Sequence, residues 1–149
     1  MSRSPGSRVF PSAVVHRDSL YIFGGHDGAI YRNDLLIFNL ETRGWQLDLE
    51  LSGGGPSPRD AHAAVVHADC MYVFGGYDGR DGDYFNDVHT FSFDDMSWST
   101  STTVVQMGVD EFDVVRSAEV PGVVAALEYD EASESLLALT GDEVLVIEP

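Results

Sequence analysis

The sequence predicts an all-β protein made of short four-stranded sheets stacked side by side like blades, and three observations predict it. First, a block of sequence recurs. Ala13-Val14-Val15-His16 returns as Ala64-Val65-Val66-His67, and Leu20-Tyr21-Ile22-Phe23-Gly24-Gly25 as Met71-Tyr72-Val73-Phe74-Gly75-Gly76, both at an offset of 51. After the diglycine the offset becomes 53, where Asn33-Asp34 matches Asn86-Asp87, Phe38 matches Phe91 and Trp45 matches Trp98. Second, each unit is cut into short apolar runs by turn-forming residues. Third, the run before each diglycine is apolar nearly throughout instead of alternating, as in a strand covered on both faces. A sheet covered on both faces by copies of itself is one blade of a radial stack.

Each unit divides into four strands. Strand A is Ser12–His16 with Arg17-Asp18 as its turn, and strand B is Leu20–Phe23, ending at the diglycine. Strand C is Leu35–Leu40, closed by Glu41-Thr42-Arg43-Gly44, and strand D opens at Trp45. Gly24 and Gly25, with their equivalents Gly75 and Gly76, supply space or backbone freedom where a side chain would not fit. Trp45 and Trp98 are expected to fill equivalent places between blades. The two extra residues of the second unit fall in one loop, where His26–Arg32 is replaced by Tyr77–Phe85. Blade 1 is thereby expected over 8–57 and blade 2 over 58–105, followed by an exposed acidic connector over 106–122 that includes Asp110-Glu111-Phe112-Asp113.

The last stretch, 123–149, reads as a degenerate, partial third blade. Val123–Asp130, Leu136–Thr140 and Val144–Ile147 would be its strands A to C, with Thr140-Gly141 in place of the diglycine and no strand D before Pro149. A helix through Ala125–Leu139 is the competing reading, because Ala, Leu and Glu favour helices.

Composition excludes several function classes. The net charge is −17, and all eight basic residues are arginine. Without lysine there is no P-loop lysine, Schiff-base lysine or kinase lysine. The single cysteine, Cys70, excludes an internal disulfide or a CxxC metal site. Such acidity repels nucleic acid and anionic membranes, and it favours a protein partner with a basic patch. Acidity grows along the chain: residues 1–50 hold six acids against five arginines, and residues 101–149 hold eleven against one. The start, Met1-Ser2-Arg3-Ser4-Pro5-Gly6-Ser7-Arg8, lacks an apolar export segment, and no apolar run is long enough to cross a bilayer. A soluble protein of the cytoplasm, with the nucleus as the other compartment, is expected.

The order of Arg, His, an apolar strand, Tyr-aliphatic-Phe-Gly-Gly, Asn-Asp, an aromatic strand and Trp resembles the kelch repeat of β-propellers, whose period is about 50 residues. The second unit fits best, with Pro58-Arg59-Asp60-Ala61-His62 at its head; the first keeps Arg8 but has Pro11 where His62 falls. The resemblance covers Arg8 to Ser99. It implies a non-catalytic protein-interaction module, an adaptor or scaffold whose B–C and D–A loops line one mouth of the ring and contact a partner. On that mapping the partner-binding residues are Tyr31, Arg32, Arg59, Tyr77, Asp78, Arg80 and Tyr84. Arg59 has a second reading, as a structural residue pairing with the neighbouring blade. Gly24, Gly25, Trp45, His62, Gly75, Gly76 and Trp98 are the structural motif. Three blades short of one strand do not close a ring of about four to eight, so self-association or additional blades are expected.

Catalytic and cofactor readings find little in the residues. His16 and His67 recur at equivalent turns, but polar turn residues explain them better than metal ligands do. Asp78-Gly79-Arg80-Asp81-Gly82-Asp83 lacks the alternating acids of a calcium loop, and Ser52-Gly53-Gly54-Gly55-Pro56 lacks the lysine of a phosphate loop. No catalytic residue, metal or cofactor is expected. The alternative is a fragment of a propeller enzyme resembling galactose oxidase or a sugar mutarotase, or a structural fragment completed by other chains. Neither the copper-radical set nor the Glu-x-x-x-Asp-x-x-x-His run of iron-dependent specifier proteins is visible.

Overall fold

The structure, a computed structural model, describes residues 5–46, 49–101, 105–107, 115–116, 124–130, 135–140 and 143–147. The first unit is an antiparallel meander of β1 (Ser12–His16), β2 (Ser19–Phe23), β3 (Leu35–Asn39) and β4 (Gly44–Gln46). The second repeats it with β5 (Ala63–His67), β6 (Cys70–Asp78), β7 (Asp83–Ser92) and β8 (Ser97–Ser101). Turns recur with the strands. Arg17 and Ala68 both adopt a positive φ, as do Arg43 and Met96, so the backbone repeat persists where the residue types do not.

The third sheet departs from expectation. β9 (Val105–Met107), β10 (Val115–Arg116), β11 (Val124–Asp130), β12 (Ser135–Thr140) and β13 (Glu143–Ile147) form one sheet in the order β11-β12-β13-β9-β10. Where a helix through Ala125–Leu139 was the competing reading, the described residues Val124–Asp130 and Ser135–Thr140 are strands, β11 and β12. The fourth strand, expected to be absent, is β9: Val105–Met107 leaves the stretch expected to be a connector and pairs with β13. Edge-strand amide and carbonyl groups need partners, and β9 supplies them to β13. Residues 108–114 and 117–123, including the acidic Asp110–Asp113 segment, lie outside the described residues. Among the described residues no helix is long and apolar enough to cross a membrane.

The core lies between the first two sheets. Tyr21, Phe23, Leu35 and Ile37 of the first meet Met71, Val73, Phe91, Phe93 and Trp98 of the second. The rings interlock: Tyr21 lies 4.6 Å from Phe93, Phe23 lies 5.1 Å from Trp98, and His16 stacks on Phe93 at 4.0 Å. His16 is thus a packing residue, held also by Asp69 at 3.4 Å. Among the described residues no group of three or more possible ligands could hold a metal.

The glycine pairs set the spacing between blades. Gly24 (φ +65) and Gly76 (φ +107) take conformations that disfavour side chains. A Cβ at Gly24 would come within 2.6 Å of the Arg59 carbonyl, and one at Gly76 within 2.8 Å of the Asp60 carbonyl. The chain entering the second blade therefore passes flush over both diglycines.

The two tryptophans do not share an environment. Trp98 is 6% exposed and packs on Phe23 of the preceding blade. Trp45 is half-buried and meets Phe38 of its own blade at 5.0 Å. Since Trp98 faces backward in chain order, Trp45 faces the outer side of the first sheet, where no described residue takes the part of Phe23. Trp98→Ala is expected to cost roughly 3–5 kcal/mol in denaturant titration, as for other large buried aromatics. Trp45→Ala should cost well under half as much, and equal losses would show that the two faces are equally covered.

His62 gives the interface a pH dependence. It is buried between the sheets, its Nε2 2.8 Å from Ser12 Oγ and its ring edge-on to Phe23 at 5.2 Å, while Nδ1 has no partner. Burial first, and then the Arg59 charge, push its pKa down from 6.5 to about 4. The unfolded chain therefore takes up the proton before the native one does. The stability that rests on neutral His62 is complete above pH 6.5 and is lost as pH falls to about 4. The expected loss is on the order of 3 kcal/mol. Equilibrium unfolding between pH 7.5 and 4 should show this slope, and His62→Gln should flatten it; an unchanged slope would place its origin elsewhere.

Candidate protein-interaction face

The head of each repeat is built on an arginine, fully buried in the second unit and half-buried in the first. Arg59 is fully buried, and Nη1 and Nη2 donate to the two carboxylate oxygens of Asp87 at 2.5 and 3.0 Å. Nη1 also donates to the Gly75 carbonyl at 2.8 Å, Nε to the Ser57 carbonyl at 3.0 Å, and the guanidinium lies 4.0 Å over the Phe85 ring. The first repeat has the same clamp: Arg8 donates to Asp34 at 2.8 and 3.1 Å and to the Gly24 carbonyl at 3.0 Å. Burial alone would raise the Asp87 carboxyl; hydrogen bonds from His89 and then Arg59 overcome it and hold it well below the usual carboxylate range.

Main-chain bonds of the same residue join the blades. Arg59 N–H donates to the Arg32 carbonyl at 3.0 Å, and Gly25 N–H donates to the Arg59 carbonyl at 2.8 Å. The side chain thus belongs to the second blade and the backbone is bonded to the first. This fixes the tips of the two blades relative to each other.

Those tips are hairpins and not loops. β6 and β7 run on past the diglycine and pair Gly76 with Phe85, Tyr77 with Tyr84 and Asp78 with Asp83, after an irregularity at Phe74/Gly76. Only Gly79-Arg80-Asp81-Gly82 is left as the turn, with Gly82 N–H donating to the Asp78 carbonyl at 2.9 Å. The first blade has a shorter version, with His26 bridged to Tyr31 and to Val9. His26 and Tyr31 are the repeat equivalents of Tyr77 and Tyr84. The two cross-strand pairs therefore make one row of four rings across the blades: His26 to Tyr31 at 5.2 Å, Tyr31 to Tyr77 at 6.1 Å and Tyr77 to Tyr84 at 4.8 Å. Tyr84, at the far end, is 64% exposed.

Each tip holds its own arginine. In the first, Asp27 accepts from Arg32 at 2.5 Å and from the Ala29 and Ile30 amides, and the Arg32 contact foremost lowers its pKa to about 2. In the second, Asp78 accepts from Arg80 Nη2 at 2.6 Å, from Nε and from the Arg80 amide. A backbone bond from Gly79 to the Tyr31 hydroxyl ties the tips together. His26 lies 3.3 Å from Asp60, whose carboxyl is raised by burial despite that contact.

Of the seven residues mapped to partner contact, the structure brings Tyr31, Arg32, Tyr77, Arg80 and Tyr84 onto this one face. Arg59 and Asp78 are corrections. Arg59 is enclosed by its carboxylate and carbonyl partners, and it pairs within its own blade rather than with the neighbour. Asp78 is buried behind Arg80 and positions that side chain. The sequence reading missed Asp34 and Asp87 as the arginine's partners, and His26, Asp27 and Asp60 at the tips. The signal for the first two was available: Arg and Asp recur together in both units, at offsets of 51 and 53.

Comparison with known proteins agrees with this architecture. The profile described as the KLHDC2/KLHL20/DRC7 Kelch-repeats domain matches residues 1–110. Acyl-CoA-binding domain-containing protein 5 of Arabidopsis thaliana is 38% identical over 102 residues, which cover 67% of this chain and 15% of that protein. The leucine-zipper-like transcriptional regulator 1 homolog of Drosophila melanogaster is 38% identical over 83 residues, 51% of this chain and 8% of that protein. Human Kelch domain-containing protein 3 is 33% identical over 102 residues, 66% of this chain and 26% of that protein. The chain spans about a quarter or less of each of these relatives. Kelch repeats typically serve as protein-interaction domains. Two sheets that repeat the same arginine clamp, diglycine and tip pair, matched across their whole length by that profile, place the chain in the kelch-repeat family.

Proposed function

We propose that the chain is a non-catalytic protein-interaction module that takes its partner on the tips of the first two blades. The row of rings ending at exposed Tyr84 carries this reading. Tyrosine and arginine on a rigid scaffold bury large area at low entropic cost, as interface hot spots do. The Cys70 thiol supports the non-catalytic part, since burial first, and then Asp69, push its pKa up and away from thiolate chemistry. The net charge of −17 favours a partner with a basic patch, whose association slows as salt rises. Tyr84→Ala should weaken partner capture by roughly 1–3 kcal/mol while leaving stability nearly unchanged, whereas Arg80→Ala should weaken capture and also lower stability, because it strips buried Asp78 of its guanidinium. Asp95→Ala, at the opposite end of β7 in the turn to β8, is the control. Quantitative comparison of proteins retained by the four chains tests this; loss with the control alone would put the working face at the other end.

The outer face of the first sheet supports a second contact. Phe38 and Trp45 are half-buried there and Leu40 is 44% exposed, where their equivalents Phe91, Trp98 and Phe93 are buried. A further blade or a second copy covers it on this reading, so the isolated chain should not run as a clean monomer at micromolar concentration. Light scattering showing a stable monomer would remove that contact.

A further inference from the structure

We infer that the row of rings formed by His26, Tyr31, Tyr77 and Tyr84 takes cationic side chains, arginine above all, from an extended basic segment of the partner. This rests on the reading that the partner meets the blade tips. Ring faces are electron-rich and attract a guanidinium within about 6 Å of the centroid. Neighbouring rings in the row lie 4.8 to 6.1 Å apart. Same-side residues of an extended peptide are about 6.6 Å apart, so one strand presents cations at nearly the spacing of the rings.

The charges on the face discriminate between cation and anion. Arginines at a propeller mouth suggest an anionic ligand, but both arginines here are already held, Arg32 by Asp27 and Arg80 by Asp78. Freeing either would leave a carboxylate without its partner. Asp81 and Asp83 stand exposed in and beside the turn that carries Arg80, next to Tyr84. Behind the rings the field is negative as well: the Tyr31 hydroxyl is raised by burial first and then by the Asp60 charge. A guanidinium on Tyr84 gains a ring face in an acidic turn, whereas an anion there meets the charges of Asp81 and Asp83.

Peptide binding to the full chain tests this by fluorescence anisotropy. The probes are a labelled peptide of four Arg-Ser repeats, the same peptide with citrulline for arginine, and one with glutamate for arginine. The arginine peptide should bind, and the other two should bind at least about fivefold more weakly. Tyr84→Ala should weaken the arginine peptide by about fivefold, with an unchanged thermal midpoint, while Tyr84→Phe stays within about twofold. Tyr84→Ala leaves the net charge untouched, so diffuse attraction to an acidic chain cannot produce that loss. Absence of binding, equal binding by Tyr84→Ala, or equal binding of the citrulline peptide would each overturn the inference. If captured partners are lost with Tyr84→Ala but are not displaced by the arginine peptide, the face stands and its cationic specificity falls. If captured partners survive both Tyr84→Ala and Arg80→Ala, the face itself is wrong.

Discussion

Burying a guanidinium is costly unless its charge and nearly all its donors are matched, and the contact between the first two blades is organised around doing so at Arg59. Arg59 satisfies the condition with a two-pronged bond to Asp87 and bonds to the Gly75 and Ser57 carbonyls. A lysine would not replace it, because an ammonium has no planar fork to span a carboxylate and a carbonyl together. Removing Arg59 would leave the half-buried Asp87 carboxylate with His89 Nε2 at 2.9 Å in place of the guanidinium, and the Gly75 carbonyl without this donor, not a simple gap. Arg8 repeats the arrangement with Asp34, which is why the two heads superpose in sequence despite the missing histidine at Pro11.

From that anchor the remaining geometry follows. With the Arg59 side chain locked in the second blade, its amide and carbonyl are presented to Arg32 and Gly25 of the first. That approach is possible only because Gly24 has no Cβ to obstruct it, while Gly25 leaves room for Val9 and Pro11 of its own blade. Drawing the blades together at their heads closes Phe23, Tyr21, Phe91, Phe93 and Trp98 into one core and leaves His62 dry beside Phe23. At the tips the same closeness brings Tyr31 against Tyr77. The face at the blade tips is therefore not a set of independent loops. It is the upper edge of the inter-blade contact, and its aromatic spacing is inherited from the arginine clamp.

The fold was largely legible because the apolar runs and the diglycines recur in register, and burial on both faces leaves a strand no alternative register. The tips were less so. Tyr77 and Tyr84 read as loop residues because Asp-Gly-Arg-Asp-Gly-Asp is dense in turn formers, yet pairing continues two residues beyond the diglycine on each strand and confines the turn to Gly79–Gly82. Arg59 was legible as a motif residue, but the direction of its side chain was not. Direction depends on backbone conformation at Gly75, Gly76 and Ala61, and Ala61 takes a positive φ that its residue type does not announce. The third sheet was misjudged for a different reason: its fourth strand, β9, precedes its first in the chain, and a local scan for strands in order does not find such a pairing.

The tryptophans show the limit of reasoning by repeat. A repeated sequence specifies the same local backbone, and here it does so closely, down to matching left-handed turns at Arg17 and Ala68 and at Arg43 and Met96. It specifies the same environment only where each copy has the same neighbour. Trp98 has Phe23 and the first sheet behind it, whereas Trp45, among the described residues, meets Phe38 of its own sheet. Charges follow the same rule. Arg17 reaches across to Asp69 and Asp94, while their equivalents on the first sheet, Asp18 and Glu41, stand exposed on its outer side. The two faces of the first sheet thus differ in what covers them more than in what they are made of.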